Sequence, residues 1–178
     1  MMGQPSVSIV VIFKEENPYL FECLSHCLKL DYGNYEIVLL PDTRISERLS
    51  EYIRQCGSKV KVVPTGKLNI PKKRNIGVKH SSSEFIAFID SDAFPQKDWL
   101  KNAIPVFLNQ RIGAVGGPNL TPPNGPLTQR ITGNVLKSKL GFGKGYIRNT
   151  VCPSQFLNEL PTCNLIVRKS LLDQMALS

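Results

Sequence analysis

The sequence predicts an α/β fold in which a mostly parallel central sheet is flanked by helices. Continuous apolar runs rich in β-branched and aromatic residues are typical of strands that are buried on both faces. These runs alternate with segments of helical periodicity, and parallel strands need such crossover connections. The four runs in the first half of the chain are Val7–Phe13, Tyr35–Leu40, Val60–Val63 and Phe85–Ile89. Their alternation with helices favours a doubly wound sheet.

Helices are predicted in the segments that follow these strands. Asn17-Pro18 supplies a capping residue and a first helical position for a helix that continues through Leu30. The later predicted helices cover the segment from Ile45 to Ile53, Pro71–His80, and Gln96–Leu108 despite Pro105.

The pattern weakens after a predicted fifth strand, Ile112–Val115. Residues 116–149 are rich in glycine, proline and basic side chains, and a loop of this length is usually a functional lid, a binding surface or a disordered segment. Its middle part, Leu127–Leu140, is compatible with a short amphipathic helix. A strand over 161–167 and a helix from Ser170 to Met175 are predicted to follow.

Composition limits the classes of function. The chain has 178 residues, of which 42% are hydrophobic, and this is enough for the core of one domain. Its net charge of +8 favours anionic partners such as nucleotides, phospholipid head groups or nucleic acid. The cysteines are odd in number and form no CxxC pair, and no signal peptide precedes them, so reduced thiols and a cytoplasmic location are expected. No apolar run approaches the length of a membrane-spanning helix.

The most informative stretch is Phe85-Ile86-Ala87-Phe88-Ile89-Asp90-Ser91-Asp92, an apolar run that ends on two carboxylates. In open α/β sheets, ligands bind at the carboxyl ends of the strands. Two hard oxygen donors at such an end suit a divalent cation that takes its other ligands from water and phosphate. By itself, Asp-Ser-Asp is more often a solvated turn or a helix cap. Its position after a mid-chain strand and a basic segment favours the binding site here.

Further residues are expected at the same edge of the sheet. Phe13 ends the first strand and Glu15 follows it, Asp42 follows the second strand, and Arg74 lies near the start of a helix. Together they suit a nucleoside diphosphate, with a carboxylate for the base or ribose and a cation for the phosphates. The Rossmann fingerprint GxGxxG does not follow the first strand, and the P-loop motif GxxxxGK[ST] is absent from the sequence.

At this point the sequence resembles the family 2 glycosyltransferases, which have the Rossmann-like GT-A fold and transfer a sugar from a nucleotide-sugar donor. The resemblance covers nearly the whole chain in four blocks: VSIVVIFKEEN, YEIVLLPD, IPKKRNIGVKHSSSEFIAFIDSD and LPTCNLIVRKSLL. The third block is the specific one, because it combines Arg74-Asn75-x-Gly77, a strand and Asp-x-Asp at a fixed interval.

The resemblance implies roles for the matching residues. Asp42 is similar to the acid that contacts the base or ribose, and Arg74 to the cation near the base and phosphates. Asp90, with Ser91 beside it, matches the acid that contacts the ribose or metal-bound water, and Asp92 matches the ligand of Mn²⁺ or Mg²⁺. The loop after Phe13 and the Pro41-Asp42 pair depart from the family pattern, which leaves the choice between a UDP-sugar and a GDP-sugar open.

The resemblance also implies one domain over residues 1–178, with a nucleotide-sugar-binding half at 1–115 and an acceptor-side loop with an incomplete second half at 116–178. Inverting transfer needs a general base, which in this family lies beyond the strand that resembles 162–167. We therefore expect the base beyond Ser178 and the chain to be a fragment. The expected acceptor is a glycan or a lipid-linked saccharide, as in cell-wall or polysaccharide biosynthesis.

Two alternatives to a transferase stay open at this stage. A non-catalytic nucleotide- or glycan-binding remnant of the same fold would also lack the base. A basic nucleic-acid-binding module is disfavoured, because aromatic residues are not interleaved with the basic ones. The basic loop at 137–148 is interpreted as solvated rather than membrane-bound, with peripheral association at the cytoplasmic face left open.

Cys23, His26 and Cys27 share a helix face but are incomplete as a metal site, so the cysteines are expected in the core and His26 at the surface.

Overall fold

The structure is a computed structural model that describes residues 3–176. Within these residues, six strands form a single sheet with the order β3-β2-β1-β4-β6-β5. The strands are β1 (Val7–Phe13), β2 (Tyr35–Pro41), β3 (Val60–Val62), β4 (Phe85–Asp90), β5 (Ala114–Gly116) and β6 (Asn164–Arg168). β1 pairs in parallel with β2 and β4, and β2 with β3, whereas β6 runs antiparallel to both β4 and β5. The predicted α/β fold with a mostly parallel sheet is confirmed.

The α-helices within residues 3–176 are α1 (Pro18–Leu28), α2 (Glu47–Gln55), α3 (Ile70–His80), α4 (Trp99–Ala103), α5 (Leu127–Lys137), α6 (Lys139–Phe142) and α7 (Lys169–Ala176). Of these, α1, α2 and α4 cover one face of the sheet, and α3 and α7 cover the other. Three 3₁₀ turns lie at Gly57–Lys59, Ile104–Leu108 and Gly143–Asn149. None of the helices within residues 3–176 is both long and apolar enough to cross a membrane.

The alternation of side chains along the strands separates two hydrophobic layers. In β1, Ile9 belongs to the layer that α1, α2 and α4 cover, whereas Val10 belongs to the layer under α3 and α7. Because both faces are covered, β1 and β4 have no solvated side, and this explains their continuous apolar runs.

The predicted helix over Gln96–Leu108 is wrong in extent. The α-helix covers only Trp99–Ala103, and the chain continues as a 3₁₀ turn over Ile104–Leu108. Pro105 lacks the N–H that an α-helix would need at this position, and its ring clashes with the carbonyl one turn before it. The short 3₁₀ turn still buries Ile104 and Phe107 in the core.

The other predicted elements are present with shifted ends. Ile45 lies outside α2, because Ser46 caps that helix with its hydroxyl oxygen, which accepts from the Leu49 N–H at 3.2 Å. The strands predicted at 112–115 and 161–167 begin later, as β5 and β6. The segment predicted as one helix over Leu127–Leu140 is divided between α5 and α6.

The cysteine and histidine cluster on α1 is structural, as predicted. Cys23 and Cys27 are fully buried, and His26 is exposed with Nδ1 at 3.3 Å from the carbonyl oxygen of Pro95. Within residues 3–176, no group of three or more His, Cys, Asp or Glu side chains is arranged to hold a metal ion by itself.

Helix α3 approaches the sheet more closely than a side chain at Gly77 would allow. A Cβ atom built on Gly77 would lie 2.7 Å from Val10 Cγ1 and 2.9 Å from Leu40 Cδ1, both in the buried layer below the helix. The helix begins at the Asn69 cap, whose side-chain oxygen accepts from the Lys72 N–H at 3.0 Å. Its first turn is thereby fixed above the carboxyl ends of β1 and β2.

We predict that Gly77→Ala lowers the free energy of unfolding by about 1–2 kcal/mol. Overpacking of a core costs about 1–3 kcal/mol, which exceeds the gain of up to about 1 kcal/mol in helix propensity. Urea denaturation measures the change. Lys79→Ala, on the exposed side of the same helix, is the control and is expected to stay within about 0.5 kcal/mol of the original protein. Equal stability of the two variants would contradict the close approach.

Candidate functional site

The carboxyl ends of β1, β2 and β4 lie side by side at one edge of the sheet. The register pairs Phe13 with Pro41, and Ile12 with Asp90. The residues predicted for this edge, which follow these three strands, are therefore neighbours in space. Phe13 is buried, Glu15 is exposed, and Asp42 is mostly buried.

Asp90 is the last residue of β4, and the chain turns directly after it. The turn is closed by the Ala93 N–H, which donates to the Asp90 carbonyl oxygen at 3.1 Å. Both Asp90 and Asp92 reach solvent, and Ser91 is half-buried. Partial desolvation raises the pKa of the Asp90 carboxyl, the charge of Asp92 raises it further, and the Arg74 guanidinium opposes both. The two carboxylates are thus close enough to repel each other, and a cation between them would relieve that repulsion.

Arg74 and Asp90 line the same small cavity, which has a volume of about 60 Å³ and a wall formed by β1, β4 and the first turn of α3. The Arg74 Nη2 atom donates to the hydroxyl of Thr162 at 2.6 Å, which fixes the direction of the guanidinium. A positive side chain held beside two carboxylates at a sheet edge is suited to an anion that also carries a metal.

Thr162 and its neighbour Cys163 reach the site because β6 is antiparallel to β4. In this pairing Asn164 lies opposite Ile89, so the residues just before β6 arrive where β4 ends. Burial raises the pKa of the Cys163 thiol, and the charges of Asp90 and Asp92 raise it further. Sequence reasoning assigned no site role to either residue, because an isolated apolar strand gives no signal of its direction in the sheet.

Lys73 is the most important residue that sequence reasoning missed. Its side chain is 2% exposed, and its ammonium group forms an ion pair with the Asp42 carboxylate, which is 13% exposed. Burial and, after it, the nearby charge of Lys14 lower the pKa of Lys73. Asp42, predicted to contact a base or ribose, is therefore already held by an internal cation.

The loops after β1 and β2 enclose a second cleft. It has a volume of about 300 Å³, and Phe13, Glu15 and Pro41 contribute to its wall. The Glu16 carboxylate accepts from the backbone N–H of Ser46 at 2.6 Å and from its hydroxyl at 2.5 Å, which joins the two loops at the start of α2. A carboxylate is favourable there because the N-terminus of a helix carries partial positive charge. Glu16 thus has a structural role at the cleft, while the neighbouring Glu15 is exposed.

The donor set fits a hard divalent cation such as Mg²⁺ or Mn²⁺. Asp90 and Asp92 offer carboxylate oxygens, and such cations commonly take one or two protein carboxylates together with phosphate and water. Burial and, after it, the charge of Asp92 raise the pKa of Asp90, and Arg74 lowers it, so a cation at this pair would favour the ionised form of both carboxyls. Two protein ligands alone leave most coordination positions for a phosphate-bearing ligand.

We predict that Lys73→Met lowers the free energy of unfolding by about 3 kcal/mol, because removal of one partner leaves a buried carboxylate unpaired. The double variant Lys73→Met/Asp42→Asn is expected to recover part of this loss, since it removes the unpaired charge as well. Chemical denaturation measures both changes. Lys72→Met, at the exposed position next in sequence, is the control, and an equal loss in Lys72→Met would show that the ion pair contributes nothing.

Two curated proteins with similar sequences are glycosyltransferases. GlyG, a glycosyltransferase of Streptococcus pneumoniae, is 29% identical over 98 residues, which are 53% of this chain and 33% of that protein. The glycosyltransferase AglE of Haloferax volcanii is 24% identical over 178 residues, covering 96% of this chain and 55% of that protein. The chain thus spans from about a third to about half of the length of these two relatives.

Two solved structures share the fold. The mannosyltransferase PcManGT of Pyrobaculum calidifontis, in complex with GDP-Man and Mn²⁺, superposes with a TM-score of 0.66 at 18% identity over 98% of this chain and 47% of that one. TarS of Staphylococcus aureus, in complex with UDP, gives 0.66 at 21% identity over 96% of this chain and 49% of that one. At these identities the likeness concerns the fold, which is the GT-A fold expected from the sequence. The model of glycosyl transferase family 2 matches residues 8–173, and the chain therefore belongs to that family.

Proposed function

We propose that this chain forms the donor-binding part of a glycosyltransferase that moves a sugar from a nucleoside diphosphate to a glycan or lipid-linked acceptor. The observation that carries the proposal is the meeting of Asp90, Asp92 and Arg74 at the carboxyl edge of the sheet, with Arg74 and Asp90 lining one cavity. In this assignment, residues 1–115 bind the donor and residues 116–178 belong to the acceptor side.

Asp92 and Asp90 would hold Mn²⁺ or Mg²⁺, and Asp90 would also contact the ribose or a metal-bound water. When bound, the cation supplies positive charge that stabilises the diphosphate as it leaves the sugar. The proposal of a metal is supported by the two hard oxygen donors and by the Mn²⁺ in the PcManGT complex.

Arg74 would pair with the phosphates of the donor. A guanidinium binds phosphate oxygens with two parallel hydrogen bonds, and its bond to Thr162 already fixes one of its nitrogens. Lys14, which lines the second cleft beside Phe13 and Glu15, would add positive charge at the same edge of the sheet.

The nucleoside would lie over the ends of β1 and β2, where Phe13, Glu15 and Asp42 follow one another along the edge of the sheet. Lys73 would hold the Asp42 carboxylate in one orientation before the ligand arrives, so less rotamer freedom is lost on binding. A uridine or a guanosine nucleotide is supported by the ligands of the two related structures, UDP and GDP-Man.

Transfer with inversion would proceed by attack of an acceptor hydroxyl oxygen on the anomeric carbon, opposite the diphosphate. The bond between that carbon and the phosphate oxygen breaks, and a general base takes the hydroxyl proton. Arg74 would then face the negative charge that develops on the leaving group, which is the charge that a preorganised cation stabilises most.

We predict that Asp92→Asn abolishes Mn²⁺-dependent binding of the preferred nucleotide, because the neutral amide is a weak ligand for a hard cation. Calorimetric titration with UDP, GDP and their sugars, with and without Mn²⁺, measures the metal-dependent binding. It also shows which of the two nucleotides the protein prefers. Asp173→Asn, an exposed position on α7 with the same change of charge, is the control and should bind like the original protein.

Unchanged metal-dependent binding in Asp92→Asn would contradict the proposed site.

A further inference from the structure

The helical segment after β5, which covers residues 127–149 and comprises α5, α6 and a 3₁₀ turn, lies in a part of the chain with an unusual distribution of charge. Between Asp98 and Glu159 the sequence contains no acidic residue. Its basic residues are Lys101, Arg111, Arg130, Lys137, Lys139, Lys144 and Arg148. Much of the net charge of the chain is therefore concentrated in one third of its length, and an anionic partner is the complementary one.

A row of apolar side chains lies on the outer side of α5. Leu127, Ile131 and Val135 are spaced four residues apart and so share one face of the helix. They are 69%, 55% and 49% exposed. Leu140 on α6 is fully exposed, and Phe142 is 43% exposed. We call these five side chains the apolar row.

The opposite side of α5 is the one that packs on the protein. Gly133, two residues from Ile131 and so about 200° around the helix, is buried against Thr121, and a Cβ atom there would come within 2.6 Å of the Thr121 Cβ. The helix therefore packs on the protein through its Gly133 side, and the apolar row faces away from the fold.

Basic side chains flank the apolar row. Arg130, Lys137 and Lys144 are exposed, and none of them forms a salt bridge within residues 3–176. Lys139 is exposed as well, with its ammonium 5.2 Å from the ring centre of Tyr146. Arg148 differs, because it pairs with Glu159 at 2.6 Å. Among the described residues, four cations without a carboxylate partner thus lie in the same segment as the apolar row, with Arg130 and Lys137 on the flank of α5 between the row and Gly133.

We propose that this surface, the apolar row with Arg130, Lys137, Lys139 and Lys144, docks on a membrane leaflet that contains anionic phospholipid. The aliphatic side chains enter the boundary between head groups and acyl chains, and the cations contact lipid phosphates. A single partner that is both anionic and aliphatic satisfies both features. Single-stranded nucleic acid would instead stack on aromatic side chains, and the row has only one, Phe142.

The helical segment is connected to the region of the acid pair by short contacts. Asn119, at the base of that segment, donates from its backbone N–H to the Arg148 carbonyl oxygen at 2.7 Å and from Nδ2 to the Cys163 Sγ at 3.1 Å. Cys163 precedes β6 and lies near Asp90 and Asp92.

The test is co-sedimentation of the whole 178-residue protein with vesicles of phosphatidylcholine and phosphatidylglycerol. We expect binding that is at least about tenfold tighter than to pure phosphatidylcholine vesicles and that weakens as salt is added. The assay measures neither nucleotide binding nor transfer, so its result is independent of the proposed function.

Two matched triple variants test the location of the surface. Arg130→Gln/Lys137→Gln/Lys139→Gln is expected to bind the anionic vesicles at least about tenfold more weakly, since each cation near such a surface contributes about fivefold. Lys29→Gln/Lys67→Gln/Lys79→Gln removes the same charge from exposed positions elsewhere, and its binding is expected to change less than about twofold. Thermal melting followed by circular dichroism verifies that both variants fold.

Two single substitutions test insertion of the apolar row. Leu140→Asp is expected to weaken vesicle binding, whereas Leu108→Asp, at an exposed leucine outside the row, should not. Leu140→Trp should add fluorescence that shifts to the blue on the vesicles and is quenched by brominated acyl chains, in excess of the signal from Trp99 alone.

Four outcomes would overturn the proposal: no binding to anionic vesicles, equal binding to neutral ones, equal losses in the two triple variants, or an unquenched Leu140→Trp. Tighter, salt-sensitive binding to an oligonucleotide would assign the surface to nucleic acid. Self-association that Leu140→Asp abolishes, without vesicle binding, would assign it to a second copy of the chain.

Discussion

The close approach of α3 to the parallel sheet is the constraint on which the rest of the site depends. Gly77 removes the one side chain that would hold the helix away from Val10 and Leu40. The first turn of α3 is then near enough for Lys73 to reach Asp42 at the end of β2 and for Arg74 to reach the end of β4. A helix displaced by one methyl group would move both cations, because helices transmit a shift along their length with little bending.

The electrostatics of the edge follow from this placement. Of these two cations, Lys73 is already paired within the protein. Its ammonium group compensates the buried charge of Asp42, and an uncompensated charge there would be costly. The other, Arg74, is half-buried and only partly offsets the repulsion between Asp90 and Asp92. The edge therefore combines a surplus of negative charge at one point with positive charge beside it, which is the pattern that a metal-bound diphosphate complements. The acidic point and the basic side chain would each be satisfied by a different part of the same ligand.

The antiparallel strand β6 connects this edge to the helical segment. It delivers Thr162 and Cys163 to the end of β4, and Cys163 contacts Asn119 at the base of that segment. Because α5, α6 and the turn at Gly143–Asn149 pack mainly on one another, they form a projection beside the site rather than a further layer on the sheet. The acid pair and the basic, apolar projection are thus linked by a few short contacts, although they are distant in sequence.

The sequence by itself determined the α/β class, the buried strands and the position of the acid pair at a strand end, because these depend on local apolar runs and on the charge that terminates them. Only the tertiary structure decided which of two adjacent cations is buried. Lys73 and Arg74 are chemically similar, but a rotation of about 100° per residue places Lys73 against Asp42 and Arg74 in the cavity with Asp90. The tertiary structure also decided the positions of Thr162 and Cys163, since the direction of β6 depends on which strand it pairs with. Local patterns identify what a residue can do, and long-range packing decides which neighbour it meets.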